Sequence, residues 1–344
     1  MLHCPHVMAK FLKHYNNCNM KEENIQRALH QYIQEHKICG ASYAFLSDTS
    51  SRNYYDGTAG CIAPYHHQIL EAGDRYDLAS LTKVVGTTTR ILQLIEEKKL
   101  SLHTPVSSIL PKLQNNQICV EDLLLHRSGL PQDILHKETL TKDNIKDRIY
   151  AIKGSMDMYH KTCYSDIGFI LLGFLIEAID QMSLEESMQM HIFKRLNMHD
   201  TSYLCDDTKR YIPTEITIER GCICKEAHDR KAHLLGQSGS AGLFSTLDDL
   251  ILFAQAILRQ DEHLFHKETY LLLKQIEQEQ RGLGWEKPYG CHVLYHTGFT
   301  GTSMLLDMEK KQGFILLTNR IHPTRHQTDF LEFRKKLNQI YLEE

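Results

Sequence analysis

A long apolar run is missing from this chain of 344 residues. The longest candidate, residues 167–179, is interrupted by Glu177 and is shorter than the ~18 residues of a membrane span. It reads as a buried helix, and no membrane partner is expected. An excess of positive charge is missing too. The formal net charge is −4 and no basic run stands out, which argues against nucleic acid as a partner. The N-terminus carries Lys10 and Lys13 but neither a continuous apolar core nor a small-residue cleavage site. It does not read as a signal peptide, and a cytoplasmic location is expected. Internal repeats and low-complexity linkers are absent as well. The ten cysteines are scattered without the spacing of a disulfide framework, so free thiols in a reducing compartment are expected. Cys222-x-Cys224 with His228 and His233 is the one cluster of metal-binding residue types. Its spacing is atypical, it reads as a loop with reduced cysteines, and neither a metal nor another cofactor is expected.

What is present is an ordinary globular composition, 42% hydrophobic and 24% charged, in a chain long enough for a large core and two subdomains. Ile25, Leu29, Tyr32 and Ile33 recur at helical spacing and predict an amphipathic helix over 22–36. Residues 40–47 and 52–60 predict two strands of a hairpin. Helical patterns then dominate to about 235, at 81–98, 120–126, 164–179 and 184–195, with another at 246–259. Short apolar runs at 293–296, 302–307 and 313–318 predict strands. A closing helix over 327–341 presents Phe330, Leu331, Phe333, Leu337 and Ile340. Strands at both ends with helices between predict an α+β fold, with one antiparallel sheet built from both termini and flanked by helices. Residues 21–79 and 236–344 form the α/β part, and 80–235 a mainly helical insertion. Met20 stands as an alternative start, and residues 1–20 are expected to be a disordered extension.

Ser80-Leu81-Thr82-Lys83 places a hydroxyl and a cation on one helical face. A serine hydroxyl is a poor nucleophile until a neighbour takes its proton. A helix N-terminus adds free N–H groups and partial positive charge. Three further segments supply what such a serine needs. Tyr164-Ser165-Asp166 opens the apolar helix, and a tyrosine at a domain junction can act as a general base if cations lower its pKa from about 10. His296-Thr297-Gly298, followed by Phe299-Thr300-Gly301, ends a strand with small residues that let a backbone approach a substrate. An N–H just after Gly298, with that of Ser80, would form an oxyanion hole. Gly239-Ser240-Ala241-Gly242-Leu243-Phe244-Ser245-Thr246 is a glycine-rich turn expected to shape the cleft wall.

In this order Ser-x-x-Lys, Tyr-Ser-Asp and His-Thr-Gly resemble the serine β-lactamase and penicillin-binding-protein superfamily. Its patterns are Ser-x-x-Lys, Tyr-x-Asn and Lys-Thr-Gly, with His-x-Gly in several class C β-lactamase-like esterases and D-aminopeptidases. Supporting stretches are Asp122-Leu123-Leu124-Leu125-His126-Arg127-Ser128-Gly129-Leu130-Pro131, residues 241–246 and Leu317-Thr318-Asn319-Arg320. The resemblance spans residues 24–341. It implies the β-lactamase/transpeptidase fold and an acyl-enzyme mechanism. Ser80 attacks a carbonyl, Lys83 relays protons, and Tyr164 is general base and then acid to the leaving group. The N–H groups of Ser80 and Phe299 hold the oxyanion, and Asp166, His296, Thr297 and Gly298 bind the substrate.

Two departures bear on specificity. Asp166 stands where asparagine is usual. An ionised aspartate only accepts hydrogen bonds, so it is expected to pair with Lys83 and make the cleft more negative. His296 replaces a lysine, exchanging a permanent cation for a group titrating near pH 6.5. Both disfavour a substrate carboxylate, so neutral or amine-bearing esters or amides are expected and β-lactamase activity should be poor. Pro213-Thr214-Glu215 with His228-Asp229 and Ala232 resembles in part a Pro-Thr-Glu and His-Asp-Glu-Asn-Ala pattern of an esterase- and amidase-like branch, some of it acting on muropeptides. Here Arg230-Lys231 stand where Glu-Asn is usual.

The expected function is a serine hydrolase cleaving an ester or amide bond of a small or peptide-like substrate through a Ser80 acyl-enzyme. A penicillin-binding D,D-peptidase, β-lactamase or muropeptide amidase is the neighbouring alternative. A non-hydrolysing acylatable sensor or an inactive scaffold is the alternative of another class. Plainer roles stay open: Asp166 as a helix cap, His296 as a structural histidine, His126 and Ser128 as organisers of the turn before Gly129, and Trp285 as core packing. No pattern in the chain sets its oligomeric state.

Overall fold

The computed structural model describes residues 5–326 and 329–343, with side chains from residue 20 onward. Five strands form one antiparallel sheet: β1 (Gly40–Ser47), β2 (Ser51–Gly57), β3 (Val293–Thr297), β4 (Ser303–Asp307) and β5 (Gln312–Thr318). Their order is β2-β1-β5-β4-β3. β1 joins the two ends of the chain, with Tyr43 opposite Tyr54 on one side and Leu316 on the other. The α+β fold read from the alternating runs is thus the one observed. β3 lies at the sheet edge, with His296 opposite Met304, so its Thr297 end is available to border a cleft.

Side chains alternate across the sheet, which creates a core on each face. Ala41, Tyr43, Phe45, Phe314 and Leu316 point to one face. Ile25, Leu29 and Ile33 from the helix Pro5–Gln34 cover them there, with Phe330 and Leu337 from the helix Asp329–Leu342. Phe45 stacks on Phe314 at 5.2 Å and Tyr32 on Phe333 at 3.9 Å. Each such side chain, fully buried, contributes roughly 1.5–3 kcal/mol. Ala44, Leu46, Ile315 and Leu317 point the other way, into the core that holds Leu250, Phe253 and Ile257 of the helix Leu247–Arg259. That core continues into the helical part around the helix Asp166–Asp180, where every residue from Ile167 to Ile176 is buried. This explains why that helix is apolar all round. Among the described residues no single helix is long and apolar enough to cross a membrane.

Three expectations need correction. Not all cysteines are free: Cys39 and Cys61 form a disulfide. Their spacing hides it, because the two meet only through the pairing of Gly40 with Gly57 in the hairpin. Cysteine usage therefore gives no argument for a reducing compartment. Cys119, Cys163, Cys205, Cys222, Cys224 and Cys291 are free. Second, Ser80 does not open one regular helix. A 3-10 turn, Ala79–Leu81, leads into a π-helical segment, Lys83–Thr88, and only then into the α-helix Thr89–Glu96. Third, the helix predicted over 22–36 is the end of a longer one whose backbone begins at Pro5. Of the expected disordered extension, residues 1–4 and the side chains of 5–19 lie outside the described residues.

Candidate active site

Ser80 sits where three parts of the chain are fastened together. Tyr76-Asp77 pairs with Phe244-Ser245, which brings the glycine-rich turn alongside. The Asp77 carboxylate accepts from the N–H of Ala79 at 2.8 Å and of His228 at 2.7 Å. Ala79 is thereby held at a φ of 45°, a conformation unfavourable for a residue with a Cβ. Thr300 Oγ1 donates to the Asp77 carbonyl at 2.8 Å, and Thr302 Oγ1 to the Leu78 carbonyl at 3.0 Å. The turn after β3 thus grips the two residues ahead of that bend. Gly298 is required there, because a Cβ on it would lie 2.5 Å from the Leu78 oxygen and 2.1 Å from Thr302 Oγ1. Gly298 thus admits the backbone that leads to the serine, while Thr297 and Phe299 on either side of it line the cavity.

Lys83 is completely buried, and its Nζ donates to Ser80 Oγ at 2.9 Å, Asp166 Oδ1 at 2.8 Å and the Ser240 carbonyl at 2.8 Å. An ammonium has three N–H bonds, and all three are taken. Burial opposes the charge, but Asp166, with Tyr164, outweighs it and holds Lys83 above the ordinary lysine range. Burial would likewise lift Asp166, yet Lys83 and Lys231 pull it down to about 2. The expected Lys83–Asp166 pair is therefore formed. The Tyr164 hydroxyl lies 2.9 Å from Ser80 Oγ. Lys83 Nζ is 5.1 Å and the Arg281 guanidinium 5.4 Å from the centre of its ring.

Two buried histidines lie behind this group. His126 Nδ1 accepts from the Ser165 N–H at 3.1 Å, so a neutral ring carries its proton on Nε2. The ring centre is 4.5 Å from that of Tyr164. His296 Nδ1 donates to the Thr297 carbonyl at 3.0 Å, which leaves the lone pair on Nε2. Neither Nε2 has a hydrogen-bond partner among the described residues. Burial, then the charges of Lys83 and Arg281, push both rings well below the usual 6.5. His296 does not titrate near pH 6.5 as its exposed counterpart would.

Ser80, Tyr164, Asp166, Thr297 and Phe299 line a cavity of about 740 Å³. His296 and Gly298 are buried beside it. Phe299 is 46% exposed, with the His228 ring 5.5 Å away and the Arg325 guanidinium 5.6 Å away. Glu215 binds His228 at 3.0 Å and Arg325 at 2.8 Å, so this part of the partial Pro-Thr-Glu and His-Asp pattern builds the wall. Trp285 is in the core.

Two cations were missed by sequence reasoning. Lys231 Nζ lies 3.3 Å from Asp166 Oδ2, and Arg281 faces Tyr164. The cleft is accordingly less negative than expected. A signal for Lys231 existed: a carboxylate in place of asparagine at the start of an apolar helix calls for counter-charge, and Lys231 stands where the related pattern has asparagine. Arg281 lies outside every motif.

Residues 25–335 match the family model described as Beta-lactamase. An N-acetylmuramyl-L-alanine amidase of Bacillus subtilis (strain 168) is 28% identical over 300 residues, 72% of this chain and 68% of that one. A putative D-alanyl-D-alanine carboxypeptidase of Salmonella typhimurium is 26% identical over 326 residues, 78% and 74% of the two chains. The solved structure of a β-lactamase/D-alanine carboxypeptidase from Pseudomonas syringae has the same fold, with a TM-score of 0.75 at 19% identity over 94% of this chain and 100% of that one. The family match takes in nine-tenths of the sequence and every segment around Ser80, and by it the chain belongs to the Beta-lactamase family as a serine hydrolase.

Proposed function

We propose that Ser80 is the nucleophile of an acyl-enzyme hydrolase acting on an ester or amide bond of a small, peptide-like substrate. The observation that carries this is one oxygen, Ser80 Oγ, 2.9 Å from both Lys83 Nζ and the Tyr164 hydroxyl at the wall of a cavity. Lys83, with all its N–H bonds occupied, acts as a fixed cation. Tyr164, as the phenolate, takes the Ser80 proton while Oγ bonds to the carbonyl carbon. The N–H groups of Ser80 and Phe299 receive the oxyanion. Collapse breaks the bond to the leaving group, which takes the proton from Tyr164, and leaves the acyl group on Ser80. Water then gives its proton to Tyr164 as it attacks. The proton returns to Ser80 Oγ when the acid product departs.

The preference for neutral or amine-bearing substrates loses one support, because Lys231 and Lys83 together neutralise Asp166. Arg281 supplies a cation in the cleft, which favours a peptide-like substrate that ends in a carboxylate. The relatives named as an amidase and a carboxypeptidase support peptide-like chemistry.

The test is a fluorophosphonate probe with intact-mass readout. One adduct on the wild type that vanishes in Ser80→Ala, with a burst on a chromogenic ester, supports the hydrolase. A wild type that takes no adduct is the inactive scaffold.

A further inference from the structure

Lys231 is a buried lysine that the reaction above does not use. Its side chain is 7% exposed and comes from the short helix Arg230–Leu235, which Asp229 caps. Its Nζ lies 3.0 Å from Asp133 Oδ1, 3.3 Å from Asp166 Oδ2 and 3.4 Å from Asp229 Oδ2. Three carboxylates thus surround one ammonium: Asp133 accepts a hydrogen bond from it, and Asp166 and Asp229 pair with it by charge. The other oxygen of Asp166 accepts from Lys83 at 2.8 Å. Asp166 therefore bridges two buried lysines. The series Asp133, Lys231, Asp166, Lys83, Ser80 runs unbroken across the cleft wall to the serine oxygen.

We infer that Lys231 is a positioning residue for acyl transfer: it holds the Asp166 carboxylate with Oδ1 turned to Lys83 and so fixes the Lys83 ammonium against Ser80. This rests on Ser80 being the nucleophile. The argument is one of paired substitutions. A neutral amide at 166 can accept from Lys83 through its oxygen and needs no counter-cation. A carboxylate there brings a partly buried charge and a second oxygen, and both are stabilised by a partner. Lys231 supplies that partner. Without it, Asp166, Asp133 and Asp229 repel one another, and Asp166 is free to rotate or to take a proton. The need for Lys231 should therefore disappear when the charge at 166 disappears, which a purely structural lysine would not do.

The pH dependence carries a second signature. Asp166 is faced by Lys83 and Lys231 directly, with Tyr164 beyond Lys83, His126 from the turn before Gly129, and Asp133, Asp229 and Lys137 around Lys231. Burial lifts its carboxyl, and the two lysines bring it down to about 2. The active form is the carboxylate. Removing one cation lets burial reassert itself, so protonation occurs at higher pH and the acid limb of kcat moves up.

The experiment is hydrolysis of a chromogenic ester from about pH 4 to about pH 8 by the wild type, Lys231→Met, Asp166→Asn and the double variant, with thermal unfolding alongside. Lys231→Met should lower kcat at neutral pH about tenfold or more, leave KM within about threefold and bring above about pH 4 an acid limb that Asp166, at about 2, does not give the wild type. The double variant should be no slower than Asp166→Asn alone. Unchanged kcat and acid limb in Lys231→Met overturn the inference, as do losses that multiply in the double variant. Should Lys231→Met not fold, the double variant still decides. Folding and matching Asp166→Asn supports the inference, and failing to fold as well overturns it. Failure of the nucleophile assignment shows separately, as probe labelling that survives Ser80→Ala.

Discussion

Gly298 is packed against Leu78 so closely that a Cβ on it would lie 2.5 Å from the Leu78 carbonyl oxygen. That oxygen already accepts from Thr302 Oγ1 at 3.0 Å. The contact ties the end of β3 to the residue two before Ser80. It therefore sets the spacing between the N–H groups of Ser80 and Phe299. Gly298→Ala must push the strand end back, at an overpacking cost of about 1–3 kcal/mol. It should lower kcat for an ester at least ~10-fold, since a displaced oxyanion donor costs about 10²–10³. Thermal unfolding and steady-state kinetics measure the two effects. A wild-type kcat in this variant would separate the turn from the oxyanion.

Tyr164→Phe removes the oxygen 2.9 Å from Ser80 and leaves the ring against His126. The stability change should be about 1 kcal/mol or less, the worth of one hydrogen bond. kcat should fall by about 10²–10⁴, the usual contribution of a positioned acid and base. Burst kinetics on a chromogenic ester show whether acylation is the step that slows. A loss of only a few-fold would move the proton transfer to another group.

The strands were legible because alternation and turns mark them. The predicted 40–47 is β1 to the residue, the predicted 52–60 is β2 but ends three residues sooner at Gly57, and the three C-terminal runs are β3, β4 and β5 within one residue. Ser80, Lys83 and Tyr164 were legible as candidates because a nucleophile and its neighbours leave local patterns. The Cys39–Cys61 bridge was not, because it depends on strand register rather than spacing. The burial of His296 was not either, since alternation on an edge strand says that neighbours point opposite ways but not which way is inward. Lys231 and Arg281 reach the site across long stretches of sequence through single contacts. Only the unbalanced charge of Asp166 hinted at the first of them.

His126 and His296 are neutral in the fold, because burial and nearby cations hold both well below 6.5. An unfolded chain protonates them near 6.5. Below that pH the unfolded state binds more protons, so their stabilisation is complete above about 6.5 and is lost progressively as pH falls. Each should contribute a slope of ~1.4 kcal/mol per pH unit once the unfolded ring is protonated. Denaturant unfolding from about pH 7.5 to about pH 5 should show this, and His296→Gln should flatten the slope by about one proton. An unchanged slope would mean that the ring is protonated in the fold.

The Cys39–Cys61 bridge closes a loop across a sequence separation of 22. Constraining a loop of that size in the unfolded chain is worth ~3 kcal/mol. Cys39→Ala with Cys61→Ala, or reduction by a thiol, should lower stability by about that amount while kcat for an ester stays within about twofold, because the bridge lies at the start of β1. A melting curve that a reductant leaves unmoved would show that the bridge does not form in solution.

Arg281 stands 5.4 Å from the centre of the Tyr164 ring, and its ion pair with Glu286 spans 3.4 Å. Nη1, the nitrogen that meets Glu286, is buried and makes no hydrogen bond among the described residues, so the pair is one of charge alone. A guanidinium so loosely held, on the wall of the cavity, suits a substrate carboxylate. A charge-assisted hydrogen bond is worth about 1.5–3 kcal/mol, and 1.4 kcal/mol is tenfold in affinity. Arg281→Met should therefore raise KM at least ~10-fold for a peptide with a free C-terminal carboxylate. The same peptide with a C-terminal amide should shift by less than about threefold. Any fall in kcat common to both peptides reports the lost cation beside Tyr164, so the ratio of the two KM changes isolates substrate recognition. Equal changes for the two peptides would leave Arg281 with Tyr164 alone and return the cleft to neutral substrates.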